Sequence, residues 1–126
     1  AALRELSVLD QHEPRAAVRL LAALAEADLW EEARRVGPRA IHVDLHDATV
    51  HRLYAEALAR GKQHDKALFE LESAVLCEPE DKEAAKVLLL AAQVYRDMGR
   101  ADDARKAARK VLEIEPDNAE AKELAK

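Results

Sequence analysis

One alanine-centred segment occurs three times along this chain, and that recurrence limits the fold more than any other feature. Trp30-Glu-Glu-Ala33, leading to Arg39-Ala40 and closing at Asp47, is echoed by Asp65-Lys-Ala67, leading to Ser73-Ala74 and closing at Pro79-Glu-Asp81. The third copy is Asp102-Asp-Ala104, leading to Lys110-Val111 and closing at Pro116-Asp-Asn118. The matched alanines Ala33, Ala67 and Ala104 stand 34 and then 37 residues apart. Helical units of this period cannot bury their apolar faces alone and do so by stacking on their neighbours. The expected fold is all-α, a solenoid of antiparallel helix pairs, and such units are binding scaffolds far more often than catalysts.

The punctuation sets the expected unit edges. Residues 1–13 read as the second helix of a partial preceding repeat, with Leu3, Leu6 and Leu9 on one face. Residues 14–47 form repeat 1, opened by Pro14, whose missing N–H is harmless in a first helical turn. Ala17, Leu20, Leu21 and Leu24 give it a buried stripe at i, i+3, i+4, i+7. Its second helix spans Trp30 to about Val43, and Gly37-Pro38 within it predicts a kink or a frayed turn near Val36. Residues 48–81 form repeat 2, capped by Asp47, striped by His51, Tyr54, Ala55 and Leu58, and turned at Gly61. Residues 82–118 form repeat 3, striped by Leu88, Ala91, Ala92 and Tyr95 and turned at Gly99. Its three extra residues, Lys82 to Ala84, are expected to extend its first helix. Residues 119–126 read as a capping or truncated helix.

Composition narrows the function classes. Three glycines, four prolines and 3% aromatics leave little for β-sheet, while abundant alanine suits close helix stacking. The net charge of −5 is spread over interspersed signs with no basic block, so nucleic acid is not the expected partner. No apolar run has the length of a membrane span, and the single Cys77 excludes an internal disulfide. The missing initiator Met suggests a segment of a larger protein.

His42, His46 and His51 lie near Asp44 and Asp47, a donor set that metals use. The loop boundary separates the first two from His51, which falls on the apolar stripe, so packing and surface histidines are the reading and no metal site is assigned. No phosphate loop, nucleophile elbow or zinc-protease motif occurs. Cys77 reads as a small hydrophobe, and Trp30 as a wedge between repeats. Neither catalysis nor a cofactor is expected.

At these positions the chain resembles the tetratricopeptide repeat family. The third unit carries Leu88, Ala91-Ala92, Tyr95, Gly99, Ala104 and Pro116 of its pattern, and the second Tyr54-Ala55, Leu58, Ala67, Leu71, Ala74 and Pro79. The first carries Leu20, Leu24, Ala33 and Ala40, with Leu45 in place of the proline and Gly37 where a bulky residue is usual. The resemblance implies a right-handed superhelix whose first helices line a concave peptide groove. Carried across, the groove positions include Arg15 and Arg19 in unit 1, Arg52 and Glu56 in unit 2, and Lys86, Leu89, Gln93 and Arg96 in unit 3. Arg19 and Arg52 are both expected exposed. Arginine forks pair with carboxylates, which makes an acidic peptide or a C-terminal carboxylate a reasonable ligand. The family's chaperone-tail clamp uses lysines and asparagines at set positions. Here Ala22, Glu56 and Leu53 or Leu90 stand where asparagines belong, so that clamp is not expected.

The leading functional expectation is a protein–protein interaction scaffold that binds a peptide or helix in its groove. The alternatives are an assembly spacer that self-associates through exposed repeat ends, and a non-catalytic regulatory appendage of an enzyme.

Overall fold

The computed structural model describes residues 15–126, and among them it contains seven α-helices and no strand. These are α1 (Ala16–Glu26), α2 (Trp30–Val43), α3 (Ala48–Arg60), α4 (His64–Leu76), α5 (Asp81–Asp97), α6 (Ala101–Ile114) and α7 (Ala119–Leu124). The expected helix carrying Leu3, Leu6 and Leu9, and Pro14 with it, lie outside the described residues.

One turn, used three times, builds the helix pairs. The N–H groups of Leu29, Gln63 and Arg100 donate to the carbonyls of Leu24, Leu58 and Tyr95 at 2.9, 2.9 and 2.8 Å. The residue before each donor is left-handed: Asp28 at φ 59°, Lys62 at 64° and Gly99 at 79°. This is the Schellman arrangement, which satisfies carbonyls that a helix end leaves without partners. The sequence places the second turn on Gly61, but the left-handed residue is Lys62, and Gly61 sits at φ −91°. Glycine leaves room there for a neighbouring side chain. A Cβ on Gly61 would stand 2.8 Å from the guanidinium carbon of Arg34. Arg34 Nη1 in turn donates to the Ala57 carbonyl at 3.0 Å, near the C-terminal end of α3 where a cation is favourable.

The entries to α3 and α7 are capped by side chains. Asp47 accepts from Thr49 N at 2.9 Å and from Val50 N at 3.4 Å, and Asn118 accepts from Ala121 N at 2.9 Å. The first helix of the third pair, α5, has 17 residues against 13 in α3.

The expected fraying near Val36 does not occur: α2 is continuous from Trp30 to Val43 with Pro38 inside it. Pro38 itself is exposed, and with no N–H it leaves the Arg34 carbonyl without its helical donor. The opposite face is held by packing. Ala33, Gly37 and Ala40 are buried there, and the ring of Tyr54 from α3 covers Gly37. A Cβ on Gly37 would stand 2.7 Å from Tyr54 Cγ and closer still to Cδ1 and Cε1. The bulky residue missing from α2 is thus supplied by the next helix. Tyr54 packs against both of the first two core clusters and joins them.

Alanines with no exposed surface, among them Ala33, Ala55, Ala67, Ala92 and Ala108, mark where helices approach most closely. His51 is a buried packing histidine. Its Nε2–H donates to the Leu45 carbonyl at 2.8 Å, and Nδ1 shares a 2.7 Å hydrogen bond with Glu70, which ties α3 to α4 and to the preceding loop.

Candidate functional site

The first helices of the pairs touch one another in series, α1 on α3, α3 on α5 and α5 on α7. The second helices do not: α2 and α4 make no contact, nor do α4 and α6. A layer whose members touch, backed by one whose members are spread apart, curves with the first layer inside. The concave face therefore belongs to α1, α3, α5 and α7, and the candidate site is the hollow where α3 meets α5.

That hollow has a volume of about 280 Å³ and is lined by Glu56, Ala59, Arg60, Lys62, Leu90, Gln93, Val94, Arg96 and Asp97. Three of the residues expected from the sequence, Glu56, Gln93 and Arg96, come together in it. Their helices explain the meeting: Gln93 and Arg96 are three apart on α5 and so share a face, and Glu56 stands opposite on α3. Gln93 donates to Glu120 Oε1 of α7, so the amide is oriented from the cap side. Arg96 lies beside Asp97, at 3.7 Å, and remains largely exposed.

The other expected residues divide. Arg19 and Lys86 are exposed on α1 and α5. Arg15 is exposed too, but it reaches Asp44 Oδ2 at 2.9 Å and Asp47 Oδ2 at 3.9 Å, tying the start of α1 to the loop before α3. Leu89 is half-buried against Ala107, Ala108 and Leu124, on the side of α5 that meets α6 and α7. The correction of most consequence is Arg52. Its side chain is only 16% exposed, and its Nε pairs with Glu83 Oε2 while Nη2 reaches Glu83 Oε1 at 3.3 Å. Thr49 Oγ1 donates to the same Glu83 Oε1 at 2.7 Å. Arg52 is thus a clasp between α3 and α5. The extended start of α5 carries Glu83 to the clasp, a pairing that no local spacing announces.

Sequence reasoning missed Arg60, Lys62 and Asp97. Arg60 lies four residues beyond Glu56 on α3, so helical spacing alone puts the two on one face. Asp97 lies four residues beyond Gln93 on α5, again at helical spacing, while Lys62 enters through the turn after α3. The Arg60 guanidinium also stands 5.0 Å above the Trp30 ring, a cation–π contact. Trp30 itself packs partly buried against the first core cluster.

Two groups elsewhere have perturbed acidities. Burial raises the pKa of Cys77, and the nearby Asp47 and Asp44 carboxylates push it further up, which keeps the thiol protonated and unreactive. Burial likewise raises Tyr54, with Glu70 adding to it. Among the described residues no group of three or more His, Cys, Asp or Glu is placed to hold a metal ion, and no helix is long and apolar enough to cross a membrane.

A curved stack of helix pairs with a lined inner hollow defines a helical-repeat solenoid. Residues 85–125 match the family model described as tetratricopeptide repeat. No curated protein sequence matches the chain. Among solved structures, the crystal structure of MamA superposes with a TM-score of 0.85 at 18% identity, over 98% of this chain and 71% of that one. The Arabidopsis OM64 TPR domain gives 0.80 at 22% identity, over 90% and 92%. The first TPR of Spaghetti (RPAP3), bound to HSP90 peptide SRMEEVD, gives 0.79 at 18% identity, over 90% and 88%. At these identities the likeness is one of fold. Residues 85–125 thus match the tetratricopeptide repeat, and the chain as a whole has the fold of tetratricopeptide-repeat proteins.

Proposed function

We propose that this chain is a protein-interaction module that takes an acidic peptide or partner helix along its concave face. The observation that carries the reading is the hollow between α3 and α5. There Ala59 and Leu90 offer apolar contact, while Arg60, Lys62 and Arg96 offer cations beside Glu56 and Asp97. Arg19 and Lys86 extend the positive charge along α1 and α5, and Leu89 and Gln93 sit at the α7 end. Arg15 and Arg52 shape the wall through Asp44 and Glu83 rather than reaching the ligand. The reading assigns no catalysis to these side chains.

Two fold neighbours lend support to a peptide ligand. One is bound to HSP90 peptide SRMEEVD, and the second TPR domain of human RPAP3 is in complex with HSP70 peptide SGPTIEEVD. Both peptides are acidic and end in aspartate. This chain has Ala22, Glu56 and Leu53 or Leu90 where an asparagine clamp would stand, so its ligand is acidic along its length rather than held by its terminal carboxylate.

The test is a peptide-array screen at low and moderate salt, with wild-type chain beside Lys62→Glu/Arg96→Glu. Both substituted residues are exposed, so the variant is expected to melt as wild type does. Selective, salt-sensitive capture of acidic peptides, lost in the variant, is the expected result. Capture that ignores charge, or none at all, would overturn the proposal.

A further inference from the structure

The convex face carries a second hollow, larger than the first. Because α4 and α6 do not touch, a groove of about 500 Å³ opens between them onto α5. Its interior is Leu68, Leu71, Val75, Val87, Ala91 and Tyr95. The opposing wall is low because α6 presents Ala107 there and carries Ala108 at the place that Leu71 holds in the preceding unit. The rim is charged by side: Glu72 on α4, and Lys106 and Lys110 one turn apart on α6. Asp103, also on the rim, is already paired with Arg100 at 2.7 Å.

A ridge runs along the α4 lip of this groove, which Leu76 itself helps to line. Phe69 and Leu76 are 64% and 82% exposed, the two most exposed large hydrophobic residues among those described. They are seven apart on α4, with Glu72 between them, so all three share one helix face. An apolar–acidic–apolar ridge therefore lies on the lip of an apolar groove whose far wall is basic. Ridge and groove are complementary in both shape class and charge. Within one molecule they cannot meet, because the same rigid helix α4 forms the ridge and one wall of the groove.

We propose that the convex face docks a second copy of this chain about a two-fold axis, the α4 ridge of each entering the groove of the other. In such an isologous contact each feature is used twice. Phe69 and Leu76 fill the partner's groove, and Glu72 reaches Lys106 and Lys110 of the partner subunit. The surface is separate from the concave hollow, so a ligand and a second copy bind at once. It also differs from end-to-end stacking of repeats, which uses the edges of the solenoid.

Sedimentation velocity of the 126-residue chain, from low to high micromolar concentration, tests the proposal. A monomer–dimer equilibrium is expected, weakened about thirtyfold or more by Leu76→Glu, as for a residue central to an interface. Glu72→Lys alone and Lys106→Glu/Lys110→Glu alone are each expected to be monomeric. Mixed together, they should form a heterodimer, since the reversed charges then meet. Circular dichroism on every variant separates lost association from lost folding, and the concave variant Lys62→Glu/Arg96→Glu should dimerise normally. A chain that stays monomeric overturns the proposal. So does a dimer indifferent to Leu76→Glu, or one abolished only by removing residues 1–13.

Discussion

Gly37→Ala offers a test in which the sign of the effect decides. In an ordinary helix interior, replacing glycine by alanine stabilises by about 1 kcal/mol, because glycine loses more backbone freedom on folding. Gly37 is in the interior of α2 with a helical backbone, so the local rule predicts a gain. The tertiary contact predicts the reverse. The new Cβ would fall 2.7 Å from Tyr54 Cγ and closer to two further ring atoms. The ring has little freedom to retreat, since it packs against both neighbouring core clusters. Overpacking of this kind costs about 1–3 kcal/mol. Set against the helix gain, the net expectation is a loss of up to about 2 kcal/mol, or a fall in melting temperature of up to about 8 °C for a domain of this size. Thermal and urea unfolding of Gly37→Ala, Tyr54→Leu and the double variant would measure it. Tyr54→Leu alone should also destabilise, by opening a cavity at the junction of the clusters. The double variant should be more stable than the sum of the singles implies, because the added methyl enters the space the ring has left. A raised melting temperature for Gly37→Ala, or strict additivity, would refute the claim that Tyr54 fills the missing side chain of α2.

The Arg52–Glu83 clasp predicts that Arg52→Glu destabilises by about 2 kcal/mol, through two carboxylates facing each other in a part-buried site, with Arg52→Glu/Glu83→Arg recovering part of the loss. Urea unfolding would decide it, and an unchanged midpoint for the single variant would mean that the clasp is absent in solution. Lys62→Gly should stabilise by about 1 kcal/mol by relieving a left-handed backbone, and Gly99→Ala should destabilise by a similar amount, since open space surrounds Gly99 and only its φ of +79° resists a side chain. Melting temperatures that move the other way would show that the three turns are not built alike.

The groove residues illustrate how far local information reaches. Glu56, Gln93 and Arg96 came from the family resemblance, which puts groove positions on first helices, and the structure gathers these three around one hollow. Arg52 came from the same resemblance, yet Glu83 removes it from the surface, and the partner lies 31 residues away in sequence. Leu89 was drawn off in the same way by Leu124 of α7. The second turn was placed one residue early, on Gly61, because a left-handed lysine has no compositional mark, whereas Gly99 in the corresponding turn does.

The sequence by itself determined the helices, their pairing and their stacking, because these follow from apolar periodicity, caps and alanines recurring at a fixed interval. Each of those signals lies within one unit or repeats between units. Three features were decided only by the tertiary structure: Tyr54 filling the gap at Gly37, Glu83 holding Arg52, and the parting of α4 from α6. All three depend on volumes and charges brought together from different units. A repeat pattern specifies that neighbours pack. It does not specify which of two facing positions carries the bulk or the charge, since either arrangement satisfies the same spacing.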